Sequence, residues 1–469
     1  MSDELIGASA RRMVEALRQG EISSLALVEA AARRIAAVEP KLNALPTLCL
    51  ERAREQAAAL DGRRARGETL PLLAGLPVVV KDNCDVGGVR TTSGTPIFRN
   101  RIAETSDRTV ALMEARGAVP MAKSNLSELG GAQTTNAVFG ATRNPYDVRL
   151  TCGGSSGGAA VALATGETWL AHGNDLGGSL RIPAGFCNVT GLRPTPGRVP
   201  RKRLAAPFDT LAVEGPMARD VADLALFFDA MVGHDTGDAL TAPSTEPPFL
   251  GAALAPAKPA RAALSADLGG LPVDPVIRTA FESFATWLGK AGVAVAEAAP
   301  DISGTLDAFK ALRGASFLAS WEPFLETHRA LFPPSVMEDI ERGFTQSGSA
   351  LAAAERCRAD FYRRTIDLLD EHEFLICPAT QVMPFPIEIL TPATVDGQPI
   401  RNYLDWIAIT AITSLTACPA IAIPIGFSAG GLPIGIQILA HPRRERALFT
   451  FAGWIERELG LPTHPIDPK

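Results

Sequence analysis

Two glycine- and serine-rich segments of this chain have the residue types that chemistry at a hydroxyl group requires. The first is CGGSSGGAA at residues 152–160, and the second is GNDLGGSLRIPAG, which begins at Gly173. Glycine loses the most backbone freedom on folding, so clustered glycines indicate a tight turn or a close approach of the backbone to another group. A plain turn, a phosphate-binding loop and a nucleophile site are therefore the three interpretations.

The spacing of the glycines disfavours a phosphate-binding loop. A Walker A loop requires G-x-x-x-x-G-K-[ST], and a dinucleotide site requires G-x-G-x-x-G after a strand. Residues 152–160 match neither pattern, and no lysine follows their glycines. A plain turn and a nucleophile site remain.

The second segment could expose one serine at a sharp turn. Gly177, Gly178 and Ser179 follow an apolar stretch, and the backbone N–H groups of residues 176–179 would point into the same space. Fixed donors of this kind stabilise the negative charge that develops on a carbonyl oxygen during acyl transfer. A serine that acts as a nucleophile also needs a base.

Two residues are candidates for that base. His172 lies seven residues before Ser179 at the end of an apolar stretch, where a buried structural histidine is the commoner role. Lys81 ends the apolar stretch in PVVVKDN, where a solvent-exposed cap is the commoner role. A lysine in a desolvated pocket can nevertheless lose its proton and act as a base, and serine–lysine catalysis is a known variant of the triad.

The elements that would position these residues alternate between helix and strand. RRMVEALRQG, which ends at Gly20, and SSLALVEAAARRIAAVEP, which ends at Pro40, predict helices within the first seventy residues. LPVVVKDN, VPMAKSN and TWLAHG predict strands. SDRTVALMEARGA, with Ser106 as its N-cap, and SGGAAVALATG predict the helices between them. This alternation predicts an α/β fold with a largely buried sheet.

The C-terminal half continues the same pattern. PAIAIPIGF and GLPIGIQIL predict two strands, and RRERALFTFAGWIEREL predicts a helix after them. Residues 241–262 are rich in Pro and Ala, and we interpret them as a surface excursion rather than as a linker between domains.

Composition narrows the classes of partner. The 469 residues carry a formal net charge of −6, which disfavours nucleic acid, and we expect the basic run of residues 201–203 to be a solvated loop. Seven scattered cysteines without a CxxC pair, and six histidines without HxxxH spacing, predict a reduced cytoplasmic protein with no disulfide framework and no metal. The N-terminal MSDELIGASARRM does not have the pattern of a signal peptide, and no apolar run is long enough to span a membrane.

Together, these segments resemble the amidase signature family. The resemblance rests on GGSSGGAA, GNDLGGSLRIPAG and PVVVKDN, and it extends almost end to end through TTSGTPIF, KSNLSELGGAQTTNAVFGATRNPYD, GLRPTPGRV and EGPMARDVADLAL. Ser155 and Ser179 are 24 residues apart and Lys81 lies 74 residues before Ser155, as in that family. The resemblance implies a single large α/β/α sandwich around a twisted mixed β-sheet. Residues 1–469 would form one domain, with a helical part at 1–70 and a catalytic core at 75–200.

The resemblance also implies a role for each matching residue. Ser179 would be the nucleophile that forms an acyl-enzyme, Ser155 the bridging serine after a cis peptide bond, and Lys81 the base, entering neutral. The oxyanion hole would consist of the backbone N–H groups of Leu176, Gly177, Gly178 and Ser179. Supporting residues would be Ser156, which would hydrogen-bond Lys81, and Asp175 and Arg181, which would hold the loop, while Gly130 and Gly131 would border the substrate.

The implied activity is hydrolysis of the C–N bond of linear amides without a cofactor, with carbamates, urethanes and esters as further substrates. The aromatic residues of segment 307–343, among them Phe317 and Trp321, favour an apolar or aryl substrate, although core packing is the commoner role for any single one of them. The implied partner is a small amide-like molecule, with no nucleic acid or membrane, and the protein would be a monomer or a homodimer.

Two departures from the family pattern bear on function. Asn174 and Leu176 stand where threonine is commoner. Ile182 stands where the glutaminase subunit of the tRNA-dependent amidotransferase usually has glutamine, which disfavours that alternative without removing it. A catalytically inactive binding protein is disfavoured because Lys81, Ser155 and Ser179 are all present.

Overall fold

A mixed sheet of eleven strands forms the centre of the molecule in the computed structural model, which describes residues 2–201 and 204–469. Together with two short two-stranded ribbons, the chain has these strands: β1 Thr47–Leu48, β2 Pro77–Lys81, β3 Val119–Ser124, β4 Arg143–Asn144, β5 Asp147–Thr151, β6 Leu170–Asp175, β7 Thr190–Arg193, β8 Val213–Ala218, β9 Arg261–Leu264, β10 Ala294–Glu297, β11 Leu375–Pro378, β12 Thr394–Val395, β13 Gln398–Pro399, β14 Ala420–Phe427 and β15 Pro433–Leu439.

The strand order of the sheet is β1-β3-β2-β6-β8-β7-β14-β15-β11-β9-β10. Parallel pairs join β3 to β2, β2 to β6, β11 to β9 and β9 to β10, and the remaining neighbours are antiparallel. Strands β2, β3, β11 and β15 are buried along their whole length, which explains their near-continuous apolar sequences. The expected α/β class and mixed sheet are confirmed.

Helices pack against the sheet. They are α1 Ser2–Gly7, α2 Ala10–Gln19, α3 Ser24–Leu42, α4 Leu50–Ala65, α5 Arg108–Ala115, α6 Gly157–Ala164, α7 Arg181–Cys187, α8 Val221–Met231, α9 Phe249–Ala253, α10 Pro275–Lys290, α11 Thr305–His328, α12 Pro334–Thr345, α13 Gly348–His372, α14 Tyr403–Trp406, α15 Ala408–Ser414 and α16 Glu445–Leu459. Helices α6 and α7 contact each other and the sheet, and α8, α9 and α16 form a second group that also contacts it.

Most helix and strand predictions are confirmed, but two helix boundaries differ from the prediction. Helix α2 ends at Gly20 in the left-handed conformation, as expected, whereas α3 continues past Pro40 to Leu42. Proline has no N–H, but the helix closes its last turn with the bond from the Asn43 N–H to the Glu39 carbonyl. Helix α5 is preceded by Asp107 rather than by Ser106 as its N-cap. The Ser106 hydroxyl instead accepts the Gly87 N–H and donates to a neighbouring carboxylate.

Two surface predictions have different outcomes. Residues 242–248 are exposed and lead into α9, whose buried Phe249 packs against Phe228 and Phe449, so the Pro-rich segment runs over the surface as expected. The basic run is not a solvated loop at Arg201, because this side chain is buried and ion-paired with Asp238 at 2.8 Å. The other two members of the run, Lys202 and Arg203, lie outside the described residues.

Two further observations concern the described part of the chain. Within residues 2–201 and 204–469, no helix is both long enough and apolar enough to cross a membrane. All seven cysteines are free thiols, and five of them are buried.

Candidate active site

Adjacent parallel strands bring the two predicted segments together. Strand β2 pairs with β6 in parallel, with Val79 opposite Ala171, so both strands end at the same edge of the sheet. Lys81 is the last residue of β2, and Asp175 is the last residue of β6. Ligand and catalytic groups gather at this edge in α/β sheets, because the loops after the strands open there.

Lys81 is fully buried and its amine contacts three oxygens. The Nζ atom lies 2.7 Å from Ser155 Oγ, 2.8 Å from Ser156 Oγ and 2.7 Å from Asn174 Oδ1. The predicted contact of Lys81 with Ser156 is therefore present, and the contact with Asn174 is one that sequence reasoning missed.

The loop that carries Ser155 packs too closely for side chains at its glycines. The Gly154–Ser155 peptide bond is cis. A Cβ atom on Gly154 would lie 2.5 Å from Ser127 Oγ and 3.0 Å from the backbone of Gln133, so this position requires glycine. Ser156 precedes α6 but does not cap it with its hydroxyl, because that hydroxyl contacts Lys81 and the Asn174 carbonyl.

The turn that carries Ser179 is held by close packing at Gly178 and by hydrogen bonds to Asp175. Gly178 has a φ of +123°, and a Cβ atom there would lie 2.2 Å from Thr410 Oγ1, so no other residue fits. The Asp175 carboxylate accepts the backbone N–H groups of Gly178 and Leu180 at 2.9 and 3.1 Å. The Ser179 carbonyl accepts the N–H of Ser156 at 3.1 Å, which joins the two glycine-rich segments.

This turn leaves three of the four predicted oxyanion donors available. Within residues 2–201 and 204–469, the N–H groups of Leu176, Gly177 and Ser179 have no protein acceptor. The N–H of Gly178 differs from the prediction, because it points back to the Asp175 carboxylate. The sequence could not show this, since the direction of the N–H depends on the left-handed φ of Gly178.

Asp175 is anchored by two buried arginines. Its carboxylate contacts Arg181 at 3.0 Å and Arg193 at 3.3 Å, and all three side chains are buried. Burial alone would raise the pKa of Asp175, but the two guanidinium groups outweigh it and hold the pKa well below its usual range. Arg181 also donates to Thr413 and Ser414. These contacts fix the loop, which is the arrangement expected for Asp175 and Arg181.

One cavity of about 170 Å³ borders the predicted residues. Ser155, Ser179, Gly130 and Gly131 all line it, so the structure brings the four together. Its apolar wall includes Leu129, Leu176, Ile182, Phe317, Trp321 and Ile407. Phe317 and Trp321 also pack in a hydrophobic cluster with Phe332 and Ile340, so both interpretations of these aromatic residues hold.

The other titratable residues near the site are engaged elsewhere. His172 is fully buried and its Nε2 lies 3.1 Å from the Glu214 carboxylate, which is the structural role expected of it. Burial raises the pKa of the Cys152 thiol to about 12, so this cysteine is not a reactive nucleophile near neutral pH. Among the described residues, no cluster of His, Cys, Asp and Glu could hold a metal ion.

Comparison with known proteins gives one consistent result. The family model described as Amidase matches residues 26–449. An acylamidase from Rhodococcus erythropolis is 32% identical over 96% of this chain and 94% of its own. A subunit of the glutamyl-tRNA(Gln) amidotransferase from Heliobacterium modesticaldum is 32% identical over 97% of this chain and 98% of its own. The crystal structure of a bacterial aryl acylamidase of the amidase signature family superposes with a TM-score of 0.91, at 27% identity and over 96% of each chain.

Proposed function

The chain belongs to the amidase signature family, whose members act on amide C–N bonds, and we propose that it is a stand-alone hydrolase of apolar or aryl amides. We assign catalysis to Ser179 as nucleophile, Ser155 as bridge and Lys81 as base. Carbamates, urethanes and esters extend the proposed substrate range, because their carbonyl groups are attacked in the same way.

The contacts of the Lys81 amine are the observation that carries this proposal. Asn174 Oδ1 can only accept, and its orientation is supported by the Asn174 amide, which donates to Asn83 Oδ1 at 2.9 Å. The Ser156 hydroxyl donates its hydrogen to the Asn174 carbonyl, so its oxygen accepts a hydrogen bond from the Lys81 amine. A neutral amine has two N–H groups and one lone pair. We propose that the neutral amine gives these two N–H groups to Asn174 and Ser156, so that its lone pair is directed at Ser155 Oγ, 2.7 Å away, and can accept the Ser155 proton.

The reaction follows from that arrangement. Ser179 Oγ attacks the substrate carbonyl carbon, its proton passes to Ser155, and the Ser155 proton passes to Lys81. The tetrahedral intermediate collapses when the C–N bond breaks and the leaving nitrogen receives the proton back through Ser155. Water then attacks the Ser179 ester by the same relay, which releases the acid and restores the neutral amine. The free N–H groups of Leu176, Gly177 and Ser179 support stabilisation of the oxyanion.

The cavity wall supports apolar or aryl substrates. Phe317 and Trp321 border the cavity beside aliphatic residues such as Leu129, Leu176 and Ile182. Relatives named acylamidase and aryl acylamidase support the same choice.

Membership of an amidotransferase complex is the second candidate, because relatives with 32–34% identity carry the name of a glutamyl-tRNA(Gln) amidotransferase subunit. Ile182 adds an apolar side chain to the cavity, which supports the stand-alone enzyme instead. Turnover of an aryl anilide by the purified chain alone favours the hydrolase. Glutamine hydrolysis that appears only with added subunits favours the amidotransferase.

The variant Lys81→Arg tests the relay. Arginine keeps a cation at this position but does not lose its proton in proteins, so it cannot accept one from Ser155. We expect anilide turnover to fall by roughly 10²- to 10⁴-fold, the usual contribution of general acid–base catalysis, and nitrophenyl ester turnover to fall less, because that leaving group needs no proton. The exposed Lys41→Arg is the matched control. Folded Lys81→Arg with wild-type anilide turnover would rule out the relay.

A further inference from the structure

Arg313 of helix α11 is a buried cation in the wall of the catalytic cavity. Its side chain is only 4% exposed, yet it lines the cavity together with Ser155 and Ser179. Its Nε donates to Asp339 Oδ2 at 2.8 Å, and one Nη2 hydrogen is donated to the Gly130 carbonyl at 3.1 Å. The relay described above makes no use of this residue.

The guanidinium has more donors than the protein satisfies. Arginine carries five N–H groups. Among the described residues, Asp339 accepts one at Nε, the Gly130 carbonyl accepts one at Nη2, and the Tyr403 hydroxyl is a third partner of the guanidinium. Two N–H groups remain without a protein acceptor in this described part of the chain. Buried donors are almost always paired in native proteins. Since Arg313 borders the cavity, the remaining donors are available to a molecule that occupies it.

The position of these donors is fixed before any ligand binds. The guanidinium carbon lies 3.9 Å from the centre of the Phe317 ring and 5.7 Å from the centre of the Tyr403 ring. Asp339 is held in turn by the Tyr403 hydroxyl at 3.0 Å. A planar guanidinium that packs against two aromatic rings and bonds a carboxylate loses little conformational freedom on binding, which favours selective recognition.

We propose that Arg313 determines specificity by binding an oxygen acceptor of the substrate, so that the protein prefers amides with a second carbonyl or carboxylate group remote from the scissile bond. This inference rests on the proposed function, because it takes the cavity as the amide-binding site. Asp339 balances the charge of Arg313, so a ketone and a carboxylate both satisfy the same donors. A purely structural Arg313, tying α11 to α12 and to the Gly130 loop, would give no such preference.

Ligand binding is measured with the Ser179→Ala protein, which we expect to be inactive, so that substrate recognition is observed without turnover. The first ligand series comprises the anilides of hexanoic acid and 5-oxohexanoic acid and the monoanilide of glutaric acid, which differ in the distal methyl, ketone or carboxylate. The second series comprises acetanilides with a para ethyl, acetyl or carboxylate group. The two series place the acceptor on the acyl side and on the amine side of the scissile bond, and calorimetry measures each Kd.

We expect an oxygen-bearing ligand in one of the two series to bind at least about tenfold more tightly than its hydrocarbon match, as for a hydrogen bond to a charged donor. Adding Arg313→Met should abolish that preference, whereas the exposed Arg329→Met should retain it. If Arg313→Met does not fold, Arg313→Lys serves instead, because it keeps the charge but loses the fork. Equal binding within both series, or a preference that survives loss of the guanidinium, would overturn the inference. Wild-type turnover of hexanoic anilide is measured separately, so an inactive protein that retains the preference contradicts only the proposed function.

Discussion

Asn174 contacts the amine of Lys81, the residue that we propose as the catalytic base. Its side chain reaches both Lys81 and Asn83. Its oxygen accepts an N–H group of Lys81 without adding a charge. A neutral acceptor of this kind orients the amine while leaving it able to function as a base.

The variants Asn174→Ala and Asn174→Asp test this positioning role. We expect Asn174→Ala to lower kcat about tenfold with little change in KM, because the amine loses one of its orienting acceptors. Asn174→Asp keeps the shape but adds a negative charge beside the amine, which favours the ammonium form. Its loss of kcat should therefore be larger near neutral pH and should recover as the pH rises.

The pH profile of kcat on an anilide is the deciding measurement for Asn174. The exposed Asn100→Ala is the matched control, because Asn100 does not line the cavity. A merely structural Asn174 would tolerate the isosteric aspartate at every pH, and that result would contradict the assignment.

At the residue scale, the sequence predicted the residues that lie in recognisable segments. Lys81, Ser155 and Ser156 are brought into contact as expected. Arg313 and Tyr403 could not be assigned, because each reaches the site from a helix more than 120 residues beyond the glycine-rich segments, and only the fold brings them together. The hydrogen bond from the Gly178 N–H to the Asp175 carboxylate could not be predicted either, because it depends on the backbone conformation of Gly178.

At the scale of elements, two carboxyl groups lie near each other: Glu39 at the end of α3 and Glu167 in the loop before β6. Glu39 accepts the backbone N–H groups of Ala44 and Leu45 at 2.8 and 3.0 Å. Glu167 is fully buried and accepts the Thr165 hydroxyl at 2.7 Å. Burial, followed by the neighbouring charge of Glu39, raises the pKa of Glu167 well above its usual value. We therefore expect the folded protein to keep Glu167 protonated up to a higher pH than the unfolded chain does.

This pair makes stability fall as the pH rises. A carboxyl group with a raised pKa in the folded state contributes its full stabilisation below the unfolded pKa of about 4.3, and that contribution is lost as the pH rises through the folded value. The slope approaches about 1.4 kcal/mol per pH unit where only the folded state holds the proton. Glu167→Gln stays neutral and keeps a donor toward Glu39. We expect it to be more stable than wild type at pH 8 by at least about 1 kcal/mol, with a smaller difference at pH 5.

Urea unfolding at the two pH values measures this difference. The exposed Glu55→Gln is the matched control and should follow the wild-type pH dependence. If wild type and Glu167→Gln lose the same stability between pH 5 and pH 8, the raised pKa of Glu167 is contradicted.

Element boundaries were less predictable from the sequence than the elements themselves. The prediction of Ser106 as the N-cap of α5 was wrong, because its hydroxyl bonds the Gly87 N–H and the Glu114 carboxylate instead. These are tertiary contacts that no local pattern shows. Arg201 was predicted to lie in a solvated loop because the sequence shows its positive charge but not the distant carboxylate that pairs with it. The fold supplies Asp238, which makes burial of that arginine possible.

At the scale of the whole molecule, contacts join distant parts of the chain to one sheet. Near the N-terminus, the Leu5 carbonyl accepts the Trp169 indole N–H, and Asp223 accepts the Ala10 N–H. Arg34 donates to the Ile466 carbonyl, which ties α3 to the C-terminal segment. We therefore propose that residues 1–469 unfold as one domain.

Denaturant unfolding followed by circular dichroism and by tryptophan fluorescence tests this proposal. We expect one transition with the same midpoint for both probes. Asp223→Ala removes an acceptor at the start of α2 and should shift both midpoints together. Two separated transitions, together with a stable proteolytic fragment that ends near residue 245, would show that the chain is divided into two domains.

The class of fold was predictable because alternating helix and strand patterns extend over most of the chain. The strand order was not, because β8 inserts between β6 and β7, and β14 and β15 return from the C-terminal end to the middle of the sheet. The pairing of β14 with β7 joins Ala420 to Arg193, more than 200 residues apart, and no local pattern encodes such a contact.

Covalent labelling of the nucleophile tests the central claim most directly. The purified protein is treated with a sulfonyl fluoride, and peptide mass spectrometry locates the adduct. We predict a single adduct on Ser179, its absence in Ser179→Ala, and a loss of anilide turnover in that variant on the order of 10⁴-fold or more, as in other serine triads. An adduct on Ser155 or Cys152, or a Ser179→Ala protein that retains wild-type turnover, would contradict the account.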